Sequence, residues 1–227
     1  MESKKYKVLL LIGDVASGHL APAKAIKQVF TEKYPEFDVE IMDLFTTTDV
    51  APFNTSDASY TLFTQNYTLQ KINDFVFRLV NTLPGHLVFS WYTNLRLYNP
   101  TKAVINTAKP DIVLTNHPIV TGVVSRVRSE QGGFFSVAQI TDLDNFLRSA
   151  ADKSADLVIS PSELATKRLL RWGVKKSRIF EGVFSLRPHL AKADPKDQVY
   201  KEMKLSPSKN TVVVMGGGVG LNKYMLS

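Results

Sequence analysis

The sequence predicts an α/β protein, a Rossmann-like parallel sheet with helices on both faces. Two observations lead there. Strand-length runs of Val, Leu and Ile recur between segments of helical spacing. Several of those runs are apolar throughout, as strands covered on both faces require. The first is Lys7–Ile12, followed by a turn at Gly13–Gly18. His19–Tyr34 then places Leu20, Ala23, Ile26, Val29 and Phe30 on one helical face, and Pro35 stops it. Asp38–Leu44 reads as the second strand, with Val39 and Ile41 facing one way. Asp111–Thr115, Phe134–Ile140, Asp156–Ser160 and Arg178–Val183 are the later strands. Pro161–Trp172 reads as a helix with Ser160 as its N-cap, Pro161 in the first position and Gly173 at its end.

The rhythm changes between Pro52 and Pro100, where amphipathic helices replace the expected strand–helix unit. Ten of the 23 aromatic residues fall there: Phe53, Tyr60, Phe63, Tyr67, Phe75, Phe77, Phe89, Trp91, Tyr92 and Tyr98. With Arg78 and Arg96 nearby, they suit a membrane interface or a greasy acceptor cleft; as the core of a helical subdomain they need no ligand at all. Residues 1–186 are therefore read as one Rossmann-like domain with a helical insertion at 53–108. Residues 187–209 form a linker with one short helix. Thr211–Met215 reads as a fresh buried strand running into Gly216-Gly217-Gly218-Val219-Gly220, the truncated start of a second Rossmann-like domain over 210–227. That turn would approach a donor diphosphate through Gly216, Gly217 and Gly218.

Composition narrows the chemistry. The chain has no cysteine, which excludes disulfides, thiolate metal sites and a thiol nucleophile. No metal site is expected. No apolar run approaches the roughly 20 residues of a spanning helix, so any membrane contact is expected to be peripheral. The net charge of +7 is unevenly placed: residues 161–209 hold 12 Lys/Arg against 5 Asp/Glu, while residues 1–160 hold 15 against 16. This basic segment lacks a recognisable nucleic-acid module, so nucleic acid is not an expected partner; an anionic membrane surface is.

The chemistry-bearing turn is Gly13-Asp14-Val15-Ala16-Ser17-Gly18-His19-Leu20. It has the glycine spacing of a P-loop, but His19 replaces the lysine and Leu20 the magnesium-binding hydroxyl, which excludes an ATPase. It also lacks G-x-G-x-x-G, although Asp43 at the end of the second strand would suit a ribose. What remains is an imidazole at the mouth of a strand–helix turn. There it acts as general base toward a hydroxyl or binds a phosphate oxygen. Gly18 accompanies it. His117 and Pro118, at another strand end, are candidates to line the cleft, as are Trp91 and Tyr92. Asp142 is a candidate to orient His19 or a sugar hydroxyl, and with Asp144 it forms a D-x-D tripeptide that is common by chance.

Gly18-His19-Leu20-Ala21-Pro22-Ala23-Lys24-Ala25-Ile26 resembles the G-H-x-x-x-A-x-A-I signature of the monogalactosyldiacylglycerol synthase and processive diacylglycerol glucosyltransferase family. The resemblance continues through Thr115-Asn116-His117-Pro118, Thr141-Asp142-Leu143, Ser160-Pro161-Ser162-Glu163, Gly173-Val174 and Met215-Gly216-Gly217-Gly218. It implies the N-terminal, acceptor-binding domain of a two-domain GT-B glycosyltransferase. It implies inverting transfer of a hexose from a UDP-sugar, with no cofactor, to diacylglycerol or a related lipid. His19 matches the proposed base. A cytoplasmic enzyme peripheral on the membrane is the expected setting, with UDP-sugar bound by a C-terminal domain that is missing here. The 227-residue chain alone is expected to be inactive. A lipid-linked UDP-N-acetylglucosamine transferase, a non-catalytic lipid-binding subunit of a split enzyme and a sugar-nucleotide epimerase are the alternatives.

Overall fold

The computed structural model describes residues 5–15, 18–55, 62, 66–182, 184–191 and 194–214. Six strands form one parallel sheet: β1 Tyr6–Ile12, β2 Phe37–Asp43, β3 Ile112–Thr115, β4 Phe135–Gln139, β5 Leu157–Ser160 and β6 Ile179–Glu181. Their order is β2-β1-β3-β4-β5-β6, with every neighbouring pair parallel. The chain steps outward from β1 to β2, then crosses back to lay β3 on the other side of β1. The order therefore reverses between β1 and β3, the place where α/β sheets open a crevice at their carboxyl ends.

β1 is central because its sequence leaves it no exposed face. Val8 to Ile12 are buried without interruption. Leu9 and Leu11 face the cluster that holds Leu44, Phe45, Leu97, Ile105, Val120, Val124 and Val127. Val8, Leu10 and Ile12 face Ala23, Leu114 and Val137, with Leu20, Ile26 and Phe30 beside them. Each such Leu, Ile or Val contributes about 1.5–3 kcal/mol relative to exposure.

The helices are α1 Leu20–Lys33, α2 Leu44–Thr48, α3 Tyr67–Asn81, α4 Leu83–Ala108, α5 Pro118–Gln131, α6 Glu163–Arg171 and α7 Lys196–Glu202. The 53–108 region yields the α3–α4 hairpin. Asn66 caps α3 by accepting from Leu69 N at 3.1 Å, and Thr82 caps α4 by accepting from Gly85 N at 3.2 Å. Gly85 packs so tightly under the end of α3 that a Cβ there would lie 2.0 Å from the Leu79 carbonyl oxygen. Asn81 ties the hairpin to the β4–β5 connection, donating to Phe146 O at 3.3 Å and accepting from Arg148 N at 2.7 Å. α4 runs through Pro100 to Ala108, so Pro100 does not end the helical segment.

Three local expectations need correction. The N-cap of α6 is Ser162, whose hydroxyl accepts from Ala165 N; Ser160 is instead the last residue of β5, and its own hydroxyl donates to Ser162 O. Asp43 is no ribose ligand here, because its carboxylate is spent on its own sheet edge. It accepts from Asp14 N and Phe45 N, both at 3.1 Å, and from Thr46 Oγ1 at 2.9 Å. The strand expected at Thr211–Met215 is unpaired over its described part, with Val212, Val213 and Val214 exposed, and among the described residues no strand lies beside it. Met215 and Gly216, Gly217 and Gly218 lie outside the described residues.

Asp43 joins the β1 and β2 end loops and caps α2. Asp43→Ala is expected to cost about 1–2 kcal/mol, the worth of a lost cap with its partners left unpaired. Urea unfolding checks this as a lower midpoint at unchanged slope.

Candidate active site

The carboxyl ends of β1, β3 and β4 bring together His19, Asn116, His117 and Thr141. His19 is the half-buried N-cap of α1, with helical backbone angles and no side-chain cap bond. Its ring meets the His117 ring edge-on, with centroids 4.5 Å apart. Its Nδ1 lies 3.5 Å from the Thr141 hydroxyl. Asn116 Nδ2 donates to the His19 main-chain carbonyl at 2.7 Å, joining positions 97 residues apart.

His117 closes the floor. It is buried, caps α5 by accepting from Ile119 N through Nδ1, and packs edge-on against Phe45 at 5.1 Å. A neutral ring that accepts through Nδ1 carries its proton on Nε2. Pro118 follows as the first residue of α5, where its missing N–H is no loss. The residue after β1 must be a glycine: a Cβ at Gly13 would sit 2.6 Å from Phe45 Cε2 and 3.1 Å from His117 Cγ.

Burial lowers the His19 pKa to about 4, against a smaller raising effect from the Asn116 main chain. Burial also holds His117 well below the usual histidine range, and the His19 charge adds to it. Both rings are therefore neutral at pH 7. A neutral imidazole at a helix start accepts a proton readily, and α1's orientation disfavours a resident cation there.

The other expected site residues are placed differently. Asp142 follows Thr141 on an exposed loop, and among the described residues no hydrogen bond joins it to His19. Burial of its carboxyl nonetheless raises its pKa. Asp144 is taken up by Arg168 in an ion pair of 3.0 Å. Gly18 is exposed beside His19, and its N–H donates to Val15 O at 3.3 Å. Trp91 stands 66% exposed on α4, and Tyr92 tilts against buried Phe53 at 6.3 Å. Asn116 and Thr141 carry the contacts to His19 that the sequence reading gave to Asp142. Their signal was position: Asn116 directly follows β3, and Thr141 lies two residues past the end of the neighbouring strand β4.

The residues from His19 to Gly182 match the family profile described as monogalactosyldiacylglycerol (MGDG) synthase. The chain belongs to the monogalactosyldiacylglycerol synthase family. It is 29% identical over 222 residues to a probable chloroplastic monogalactosyldiacylglycerol synthase of Nicotiana tabacum, covering 95% of this chain and 41% of that protein. It is 27% identical over 224 residues to the processive diacylglycerol beta-glucosyltransferase of Bacillus cytotoxicus, covering 96% of this chain and 55% of that one. The chain thus spans about half the length of the curated relatives it matches. Among solved structures, Anabaena HepE in complex with UDP aligns at a TM-score of 0.47 and 14% identity, covering 87% of this chain and 50% of that one.

The depressed His19 fixes a sign for the pH dependence of stability. Between about pH 6.5 and 4 the unfolded chain takes up a proton that the folded site refuses, so stability falls as pH drops through that window. The His19 share is at most about 3.5 kcal/mol, at one pKa unit per about 1.4 kcal/mol. His19→Gln is expected to flatten, without abolishing, the acid-side loss, because His117 contributes in the same direction. Denaturant unfolding at pH 4.5, 5.5 and 7 measures it.

Proposed function

We propose that this chain is the acceptor-side half of an enzyme that transfers a hexose from a UDP-sugar to diacylglycerol or a closely related lipid, with inversion. The observation that carries the reading is the neutral His19 ring at the β1–β3 crevice. The acceptor hydroxyl sits against His19, which takes its proton as the oxygen attacks the anomeric carbon from the face opposite the diphosphate. The bond from that carbon to the diphosphate oxygen breaks, and UDP departs with the electron pair. A donor diphosphate arriving opposite the ring raises the His19 pKa from its resting value near 4 toward neutrality, which makes it a stronger base when both substrates are bound. A second Rossmann-like domain holding the UDP-sugar completes the crevice.

The α3–α4 hairpin supports a lipid acceptor. α3 buries no residue, and Ile72, Phe75, Val76 and Leu79 are exposed along it. Leu83, Leu87, Val88, Trp91 and Leu95 continue the apolar surface on α4. Between residues 66 and 100 the charged side chains are Lys71, Arg78 and Arg96 against Asp74 alone. Apolar ridges with flanking cations insert at the interface of an anionic bilayer rather than across it. Among the described residues, no helix is long and apolar enough to cross a membrane.

In the complete enzyme, His19→Ala is expected to lower the rate of transfer from UDP-hexose to diacylglycerol by roughly 10²–10⁴-fold, the usual worth of a general base. An unchanged rate removes His19 from the mechanism. The 227-residue chain by itself is expected to give no transfer.

Flotation of this chain with vesicles containing phosphatidylglycerol tests the hairpin. Binding is expected for the wild type, and Phe75→Ser with Trp91→Ser is expected to weaken it by at least about tenfold, because each aromatic withheld from the bilayer forfeits roughly 1.5–3 kcal/mol. Equal flotation of both proteins would place the lipid surface elsewhere.

A further inference from the structure

We propose that Asn116 is a positioning residue whose side-chain amide holds the His19 imidazole in the crevice, an assignment that rests on the reading of His19 as the base. The tie is direct. Asn116 Nδ2 donates at 2.7 Å to the carbonyl of His19 itself, from the first position after β3. His19 lies at φ −99° and ψ −29°, so its main chain already follows the helix, and fixing its carbonyl fixes the direction in which Cβ leaves. The amide orientation follows from chemistry: reversed, Oδ1 would face a carbonyl oxygen with no proton between them.

The cost of this arrangement argues for its purpose. Asn116 is 2% exposed, and among the described residues its Oδ1 is buried without a partner. A buried acceptor left unpaired lowers stability, and an apolar side chain would fill that position without the loss. The amide is retained where it touches the one main-chain atom that aims the His19 ring. The next residue completes the grip, since the His117 ring meets the His19 ring edge-on, and Thr141 approaches Nδ1 from the end of β4. The titratable groups on the elements around His19 are His117 at the start of α5, Asp142 after β4, and Asp14 on its own turn, whose N–H is held by Asp43.

Histidine NMR titration of this chain tests the proposal without any need for turnover. The wild-type His19 ring is expected to titrate near 4. In Asn116→Ala the ring swings toward water and its midpoint climbs toward the ordinary value of 6.5. Asn116→Asp keeps the shape, loses the donor and adds a carboxylate, so its midpoint is expected to rise at least as far. His86, on α4, is expected to stay where it is in both. A His19 midpoint unmoved in either folded variant overturns the proposal, since a packing role alone lowers stability without changing how the folded ring titrates.

The wild type supplies an arm that needs no substitution. The Asn116 side-chain amide protons are expected to exchange with solvent far more slowly than those of exposed Asn54, and equal rates overturn the tie. In the complete enzyme, Asn116→Ala is expected to lower kcat by about 10- to 100-fold with KM changed little, the effect of a displaced catalytic group. Should the Asn116 variants shift the His19 titration while His19→Ala leaves transfer intact, the tie stands and the catalytic reading of His19 falls.

Discussion

Everything in this structure follows from a strand that has no side to show to water. β1 is buried on both faces and hydrogen-bonded on both edges, to β2 and β3. A strand so enclosed needs helices above and below, parallel neighbours, and a change of direction in the chain as it visits first one edge and then the other. The crevice at the carboxyl end of β1 and β3 is the geometric by-product of that change. His19 reaches it because Gly13 lets the chain leave β1 past Phe45 and His117 without a side chain in the way.

The electrostatics of the crevice come from the same enclosure. Two imidazoles packed edge-on and shielded from water cannot both hold protons, and burial keeps both neutral. This state is poorly suited to binding a lone anion and well suited to accepting a proton once negative charge is nearby. Negative charge bound opposite the ring would raise its pKa and with it the affinity for a proton.

The sheet was legible because Val, Leu and Ile runs are an unambiguous signal when strand and helix alternate. All six strands lie within a residue or two of their expected bounds, with β6 the most shortened, at Ile179–Glu181. The turn carrying His19 was legible because glycine spacing and a misplaced histidine are local facts. What stayed hidden was long-range partnership. That the Asn116 amide reaches His19, or that Asp43 is consumed by Asp14 N–H, depends on which strand ends lie side by side, and sequence spacing does not carry that information. The aromatic-rich insertion divided: Phe53 joins the core with Phe45, while Phe75 and Trp91 face outward. Composition alone could not assign the two halves. The far end of the insertion was legible: α4 runs through Pro100 to Ala108, where the helical region was expected to end.

The route from the hairpin to the crevice has one further consequence. α4 ends at Ala108 with Lys109 as its C-cap, and β3 begins at Ile112 and ends directly before Asn116 and His117. A helix hairpin inserted into a bilayer would therefore be mounted in series with the floor of the crevice. β3, however, is laced along its length to β1 on one edge and β4 on the other. That double lacing gives the floor of the crevice a stiff seat, because displacing β3 would mean breaking ladder hydrogen bonds on both of its edges.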